Sequence, residues 1–225
     1  MGEVSKLFVT TYAPLATTPR GREASERLNL PPFIDGSIRR EPDLEHRFPS
    51  ISCLCRGDKF APRLREGDVV VYITKKGRYE TDAPHRRMVA VLEVIHLFDS
   101  HFQAAAWYHV QGLPLPSNCM VEGNLPRPIR ETHRQNGHMQ QDEARWQRRW
   151  DLGYVHRARQ NGRFVVCNTL WNDLTWTAPT VRDGDFEGVF GRVPGTRNPG
   201  ALPIDALPTL MGRLGIDFTP RSLRG

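Results

Sequence analysis

Apolar and polar positions along the chain alternate in β-like runs, separated by polar stretches punctuated with proline and glycine. Lys6 to Thr11 (KLFVTT) predicts a first strand. Residues 13–50 carry many charges with little period, and predict a long irregular excursion. Ser50 to Cys55 alternates between Pro49 and Gly57 and predicts a second strand. Glu66-Gly67-Asp68 is a turn signal, and Val69 to Thr74 (VVVYIT) is apolar on both faces, the pattern of a central strand. Met88 to Leu97 (MVAVLEVIHL) is the longest β-like run and is expected to lie antiparallel to its predecessor. Glu93 and His96 fall inside it and require an edge, a strand end or a partner.

The period then changes. Ser100 followed by Gln103 has capping-box spacing and predicts a short helix through Trp107 and Tyr108. Four prolines between residues 112 and 130 (Pro114, Pro116, Pro126, Pro128) exclude a long helix and predict an extended loop wrapping the domain. Residues 140–150 return to helical composition, with Trp146 and Trp150 one turn apart and Gly153 as the expected end. Arg163 to Trp171 predicts another strand, residues 183–200 a glycine-rich loop, Leu207 to Leu214 a last short helix, and TPRSLRG a frayed tail. This order predicts an α+β fold: a small, mainly antiparallel, closed β-barrel with flanking helices and a loop-rich C-terminal extension. Residues 1–125 form the expected barrel core. Residues 126–225 add the arginine-rich helix, further strands and the extension, packed on that core or continuous with it.

At 225 residues, 39% hydrophobic and 25% charged, the chain can build a core. No apolar run approaches the roughly 20 residues that cross a bilayer, so no membrane partner is expected and the reading is a cytoplasmic protein. The formal charge of +6 suits a polyanionic partner. Cys53, Cys55, Cys119 and Cys167 lack CxxC spacing, which favours free thiols. Cys53 and Cys55 read as residues of one strand face, and His133 and His138 as parts of a basic loop, so no metal and no cofactor are expected.

The stretch Arg63-Leu64-Arg65-Glu66-Gly67-Asp68-Val69-Val70-Val71-Tyr72, with Met88-Val89-Ala90-Val91-Leu92-Glu93-Val94 after it, resembles the "basic, GD, apolar strand, return strand" signature of PUA-like domains. That superfamily includes ASCH, EVE and YTH modules and domains associated with nucleotide modification. The likeness covers residues 50–110. It implies a barrel whose mouth receives a nucleobase, often a modified one, between aromatic side chains, where ring faces and edge hydrogen bonds replace the lost base stacking. Aromatic candidates for such a pocket, chosen by position along the chain, are Trp107, Tyr108, Trp171, Trp176 and Tyr72. Ser52 and Asn118 are candidate readers of polar base edges.

Arginine is the second feature. Nine arginines against four acids lie between Arg127 and Arg163, a concentration suited to phosphate contact. Arg145, Arg148, Arg149, Arg157 and Arg159 are the candidates on or beside the predicted helix. Together these features predict a module that binds nucleic acid or a nucleotide, recognising a modified base with arginine contacts to phosphate. An enzyme on the same scaffold is the alternative, with Glu93, His96 and Asp99 as an acid/base group at the end of the long strand. In a third reading, the proline-rich loop at 112–130 docks a protein partner.

Overall fold

A computed structural model describes residues 4–81, 83–134 and 142–219. Its strands are β1 (Lys6–Tyr12), β2 (Ser50–Ser52), β3 (Val69–Thr74), β4 (Arg86–Phe98), β5 (Phe164–Asn172), β6 (Thr180–Val181) and β7 (Leu202–Pro203). They form one sheet in the order β2-β5-β4-β3-β1-β7, with β6 pairing the start of β4. β1 runs parallel to β3, Leu7 opposite Val69 and Tyr12 opposite Thr74, while the other pairs are antiparallel. The sheet is therefore mixed and curls into a half-barrel. The closed barrel expected from the strand pattern is corrected: β2 and β7 remain as edges. A parallel β1–β3 pair needs a crossover, and the charged segment 13–68 supplies it.

Alternation along the strands builds two cores. Phe8, Tyr12, Val70, Tyr72, Leu92 and Cys167 share one face of the sheet. Val9, Val69, Val71, Ile73 and Val91 share the other, covered by Phe186 of α4 (Asp183–Phe190) and by Leu207, Leu210 and Met211 of α5 (Ala206–Arg213). Every residue of β3 is buried, as its two-faced apolar pattern requires. α2 (His101–Val110) starts at Ser100, whose Oγ accepts from the Gln103 N–H at 3.2 Å, and packs Ala104 and Tyr108 on Phe164. β5, from the second half of the chain, lies between β2 and β4 of the first.

Three helices differ from expectation, and β2 ends at Ser52 rather than Cys55. α1 (Pro19–Leu28) interrupts the first excursion, capped by Thr18 and closed by Asn29 in the left-handed conformation. α4 occupies the start of the glycine-rich stretch. α3 runs Glu143–Gln160, straight through Gly153, because a glycine costs a helix only about 1 kcal/mol. Packing of Tyr154 with Trp146, Trp150 and Ala158 against Ile38, Leu54 and Ile129 offsets that. Most of the expected C-terminal tail, and His138, lie outside the described residues.

Candidate functional site

Residues 32–44 are all buried although they form no helix or strand. This is unusual for a connection, because a buried loop must satisfy its own polar groups. The sequence FIDGSIRREPD does so in large part through a dense network, which leaves Arg40 Nε and Nη2 and Asp43 Oδ1 buried without a hydrogen-bond partner. Arg39 sends Nε and Nη2 to the two carboxylate oxygens of Asp151 on α3, at 2.7 and 2.8 Å, and Nη1 to the carbonyls of Ser117 and Asn124. Asp43 accepts from the N–H and the hydroxyl of Ser117 at 2.7 and 2.8 Å. Arg40 is paired with Glu45 and lies 3.9 Å from Glu131. The proline-rich segment thus faces inward through Ser117 and braces the loop.

Two carboxyls of this loop, Asp35 and Glu41, line a cavity of about 1110 Å³. Asp35 accepts from the Ser37 N–H at 2.9 Å and from the Ser37 hydroxyl. Glu41 accepts from the Ser52 hydroxyl and, at 3.3 Å, from the Cys55 N–H. Burial pushes Asp35 up to about 6 against the lowering pull of its Ser37 bonds. Burial likewise pushes Glu41 up to about 7, with Ser52 and Cys55 pulling the other way. Tyr12, Tyr72, Ile51 and Phe60 bring the sheet core to the cavity, the two tyrosine rings meeting edge-on at 6.0 Å.

The remaining wall is basic. Arg134, Arg149, Arg157, Arg197, Lys59 and Lys75 line the cavity. Arg149 lies over the Trp146 ring at 5.3 Å and Arg134 over Trp150 at 5.4 Å, contacts that hold two guanidinium planes in place. Arg157 donates to the Leu54 carbonyl at 2.6 Å. Arg56 fastens the strap at residues 196–197 across β1, donating to the carbonyls of Thr196, Arg197 and Thr11. His133 also lines the cavity, its Nδ1 buried without a partner; burial, with Arg134 adding to it, pushes the imidazole down to about 4. Gly36 lies so close to this ring that an added Cβ would sit 1.9 Å from Nδ1.

Of the aromatic candidates, Tyr72 lines the cavity. Tyr108 is buried, its hydroxyl donating to the Phe48 carbonyl at 2.9 Å, and Trp107 packs beside it on Phe48. Trp171 packs on the opposite face of the sheet, and Trp176 packs edge-on against Phe33. Ser52 sits one bond behind the cavity through Glu41. Asn118 braces Ser50, accepting from its hydroxyl at 2.6 Å. Arg149 and Arg157 line the cavity, whereas Arg145, Arg148 and Arg159 are exposed elsewhere on α3.

Glu93, His96 and Asp99, expected as an acid/base group, sit along the second half of β4 and just past its end. Asp99 is exposed and pairs with Arg163 at 3.0 Å, His96 packs near Trp107 and lies 3.9 Å from Glu66, and Glu93 is half-buried within β4. None of the three lines the cavity. Asp35 and Glu41 escaped the sequence reading because no motif flags an acid buried by a loop. The one signal was the density of charge in a segment that also held Phe33, Ile34 and Ile38. Cys53 and Cys55 do not share a strand face, because β2 ends at Ser52: Cys53 is buried in the core, and Cys55 reaches solvent at the cavity. Among the described residues no His, Cys, Asp and Glu group has metal-binding geometry, and no helix is long and apolar enough to cross a membrane. Comparison with protein-family models, curated proteins and solved structures finds no match to this chain.

Proposed function

We propose that this protein binds a nucleotide unit, free or within a nucleic acid, with base and sugar in the cavity and phosphate against the arginine-bearing wall. The observation that carries this reading is the composition of one enclosure. Tyrosine and phenylalanine edges, two oriented carboxyls and a crowd of cationic side chains line the same cavity. At about 1110 Å³ the cavity is slightly larger than a typical small-ligand site, and its lining is more polar than such sites usually are, which suits a charged ligand. Guanidinium groups suit phosphate because they donate in a planar fork and stay charged. Carboxyls suit the N–H and O–H donors of a base edge or a sugar.

The resemblance of residues 63–72 and 88–94 to PUA-like domains supports the same class of ligand, including a modified base. Arg145, Arg148 and Arg159, exposed on α3, would extend the phosphate contact along a strand.

Titration of nucleoside 5′-monophosphates and labelled single-stranded oligonucleotides, with and without modified bases, tests this reading at two salt concentrations. The expected result is saturable binding that weakens as salt rises, with a nucleotide competing better than the nucleoside or inorganic phosphate alone. Absence of binding, or binding indifferent to salt, would sink it.

A further inference from the structure

The two carboxyls that the cavity offers to a base or a sugar can also give and take protons. Both come from one buried loop, and each is held by its own donors: Asp35 by Ser37, and Glu41 by Ser52 and Cys55. Among the described residues neither forms an ion pair, although arginines line the same cavity. The guanidinium groups instead hold ring faces or backbone carbonyls.

The cationic wall suits the phosphate, which leaves the two carboxyls for the base and sugar. Cleavage of the bond between a sugar C1′ and a base nitrogen builds positive charge on the sugar, which a carboxylate stabilises, and it needs a proton donor for the departing base. We propose that this protein hydrolyses the glycosidic bond of a nucleoside 5′-monophosphate, with Glu41 as acid and Asp35 as base. The inference rests on the nucleotide-binding reading and adds a reaction to it.

In the step, Glu41 gives its proton to the base nitrogen as the C1′–N bond breaks, and the bonding pair leaves with the base. A water molecule attacks C1′ while Asp35 takes its proton. The products are the free base and the sugar 5-phosphate. One proton has left Glu41 and one has reached Asp35, and exchange with solvent restores the starting state. Burial raises both carboxyls toward the range in which a side chain can give or take a proton near neutral pH.

The test incubates the full-length protein with the common ribo- and deoxyribonucleoside 5′-monophosphates and a base-methylated set, and with a single-stranded oligonucleotide. Free base is read by chromatography, and binding is read separately by calorimetry. Release of free base from a mononucleotide is expected. Glu41→Gln and Asp35→Asn are each expected to lower base release by about a hundredfold or more when measured at saturating nucleotide, so that the loss is read apart from any change in affinity. Folding of each variant is checked by thermal unfolding. Binding by the wild type without any base release overturns this proposal and leaves the binding reading standing; absence of both overturns both. Release from the oligonucleotide alone, or release that survives both substitutions, also overturns it.

Discussion

Arg39 is the strut between the buried loop and α3, and removing it tests whether that strut shapes the cavity. Its side chain is 4% exposed and that of Asp151 20%. Arg39→Ala leaves Asp151 without its bidentate partner and the carbonyls of Ser117 and Asn124 without a donor. Removing one member of a buried pair costs about 3–5 kcal/mol. Partial exposure of Asp151 lets water compensate, which places the ion-pair loss near about 3 kcal/mol, and the two carbonyls add about 1. A loss of roughly 4 kcal/mol lowers Tm by roughly 8–16 °C in a chain of this size. Urea denaturation of Arg39→Ala, Asp151→Ala and the double variant measures it, with an expected coupling above about 1.5 kcal/mol. Arg39→Lys keeps the charge but loses the fork, and is expected to fall between wild type and Arg39→Ala. A single-variant loss below about 1 kcal/mol, with coupling near zero, would refute the reasoning.

Further outcomes follow from the same geometry. Burial raises Glu41 from the ordinary 4.5 to about 7. The folded state therefore holds a proton that the unfolded state lacks between those values: its stabilising effect is full below 4.5 and lost as pH rises through 7. That loss is about 3 kcal/mol, so the stability of wild type relative to Glu41→Gln should fall by about that much over the window. A constant difference across pH contradicts it. Asp35 acts with the same sign between 3.8 and about 6, and His101 and His133, pushed down to about 4 by burial, act with the opposite sign, which is why the readout is the difference. Gly36→Ala drives a methyl group into the His133 ring and should cost about 2 kcal/mol, much of it restored when His133→Ala is added; an unchanged denaturation midpoint in the single variant would refute the contact. Arg149→Ala should weaken nucleotide binding about tenfold and Arg148→Ala should leave it unchanged, because only the first lines the cavity; equal effects would place the ligand on the outer face of α3.

Strands were legible where burial is periodic. VVVYIT and MVAVLEVIHL announce β3 and β4 because each is covered on at least one face for its whole length. The parallel β1–β3 pairing was not legible, since strand order depends on long-range packing that alternation does not encode. α1 carried its signals, Thr18, Pro19 and Asn29, but PRGREASERL has few apolar residues with which to show a period. Gly153 was a poor stop because tertiary contacts outweigh a modest propensity cost. Of the residues nominated from the sequence, Tyr72, Arg149 and Arg157 line the candidate cavity. Trp107, Tyr108, Trp171 and Trp176 lie in packing positions, as large aromatic rings commonly do. Asp35 and Glu41 were hidden because what distinguishes them is burial in a loop.

A crystal grown with a nucleoside 5′-monophosphate is the most direct measurement. The expected density places the phosphate within hydrogen-bond reach of Arg149, Arg157 or their cationic neighbours in the cavity, and the base or sugar against Asp35 and Glu41. Nucleotide seated on the outer face of α3, with the cavity holding only solvent at saturating concentration, would contradict the assignment of this cavity as the binding site.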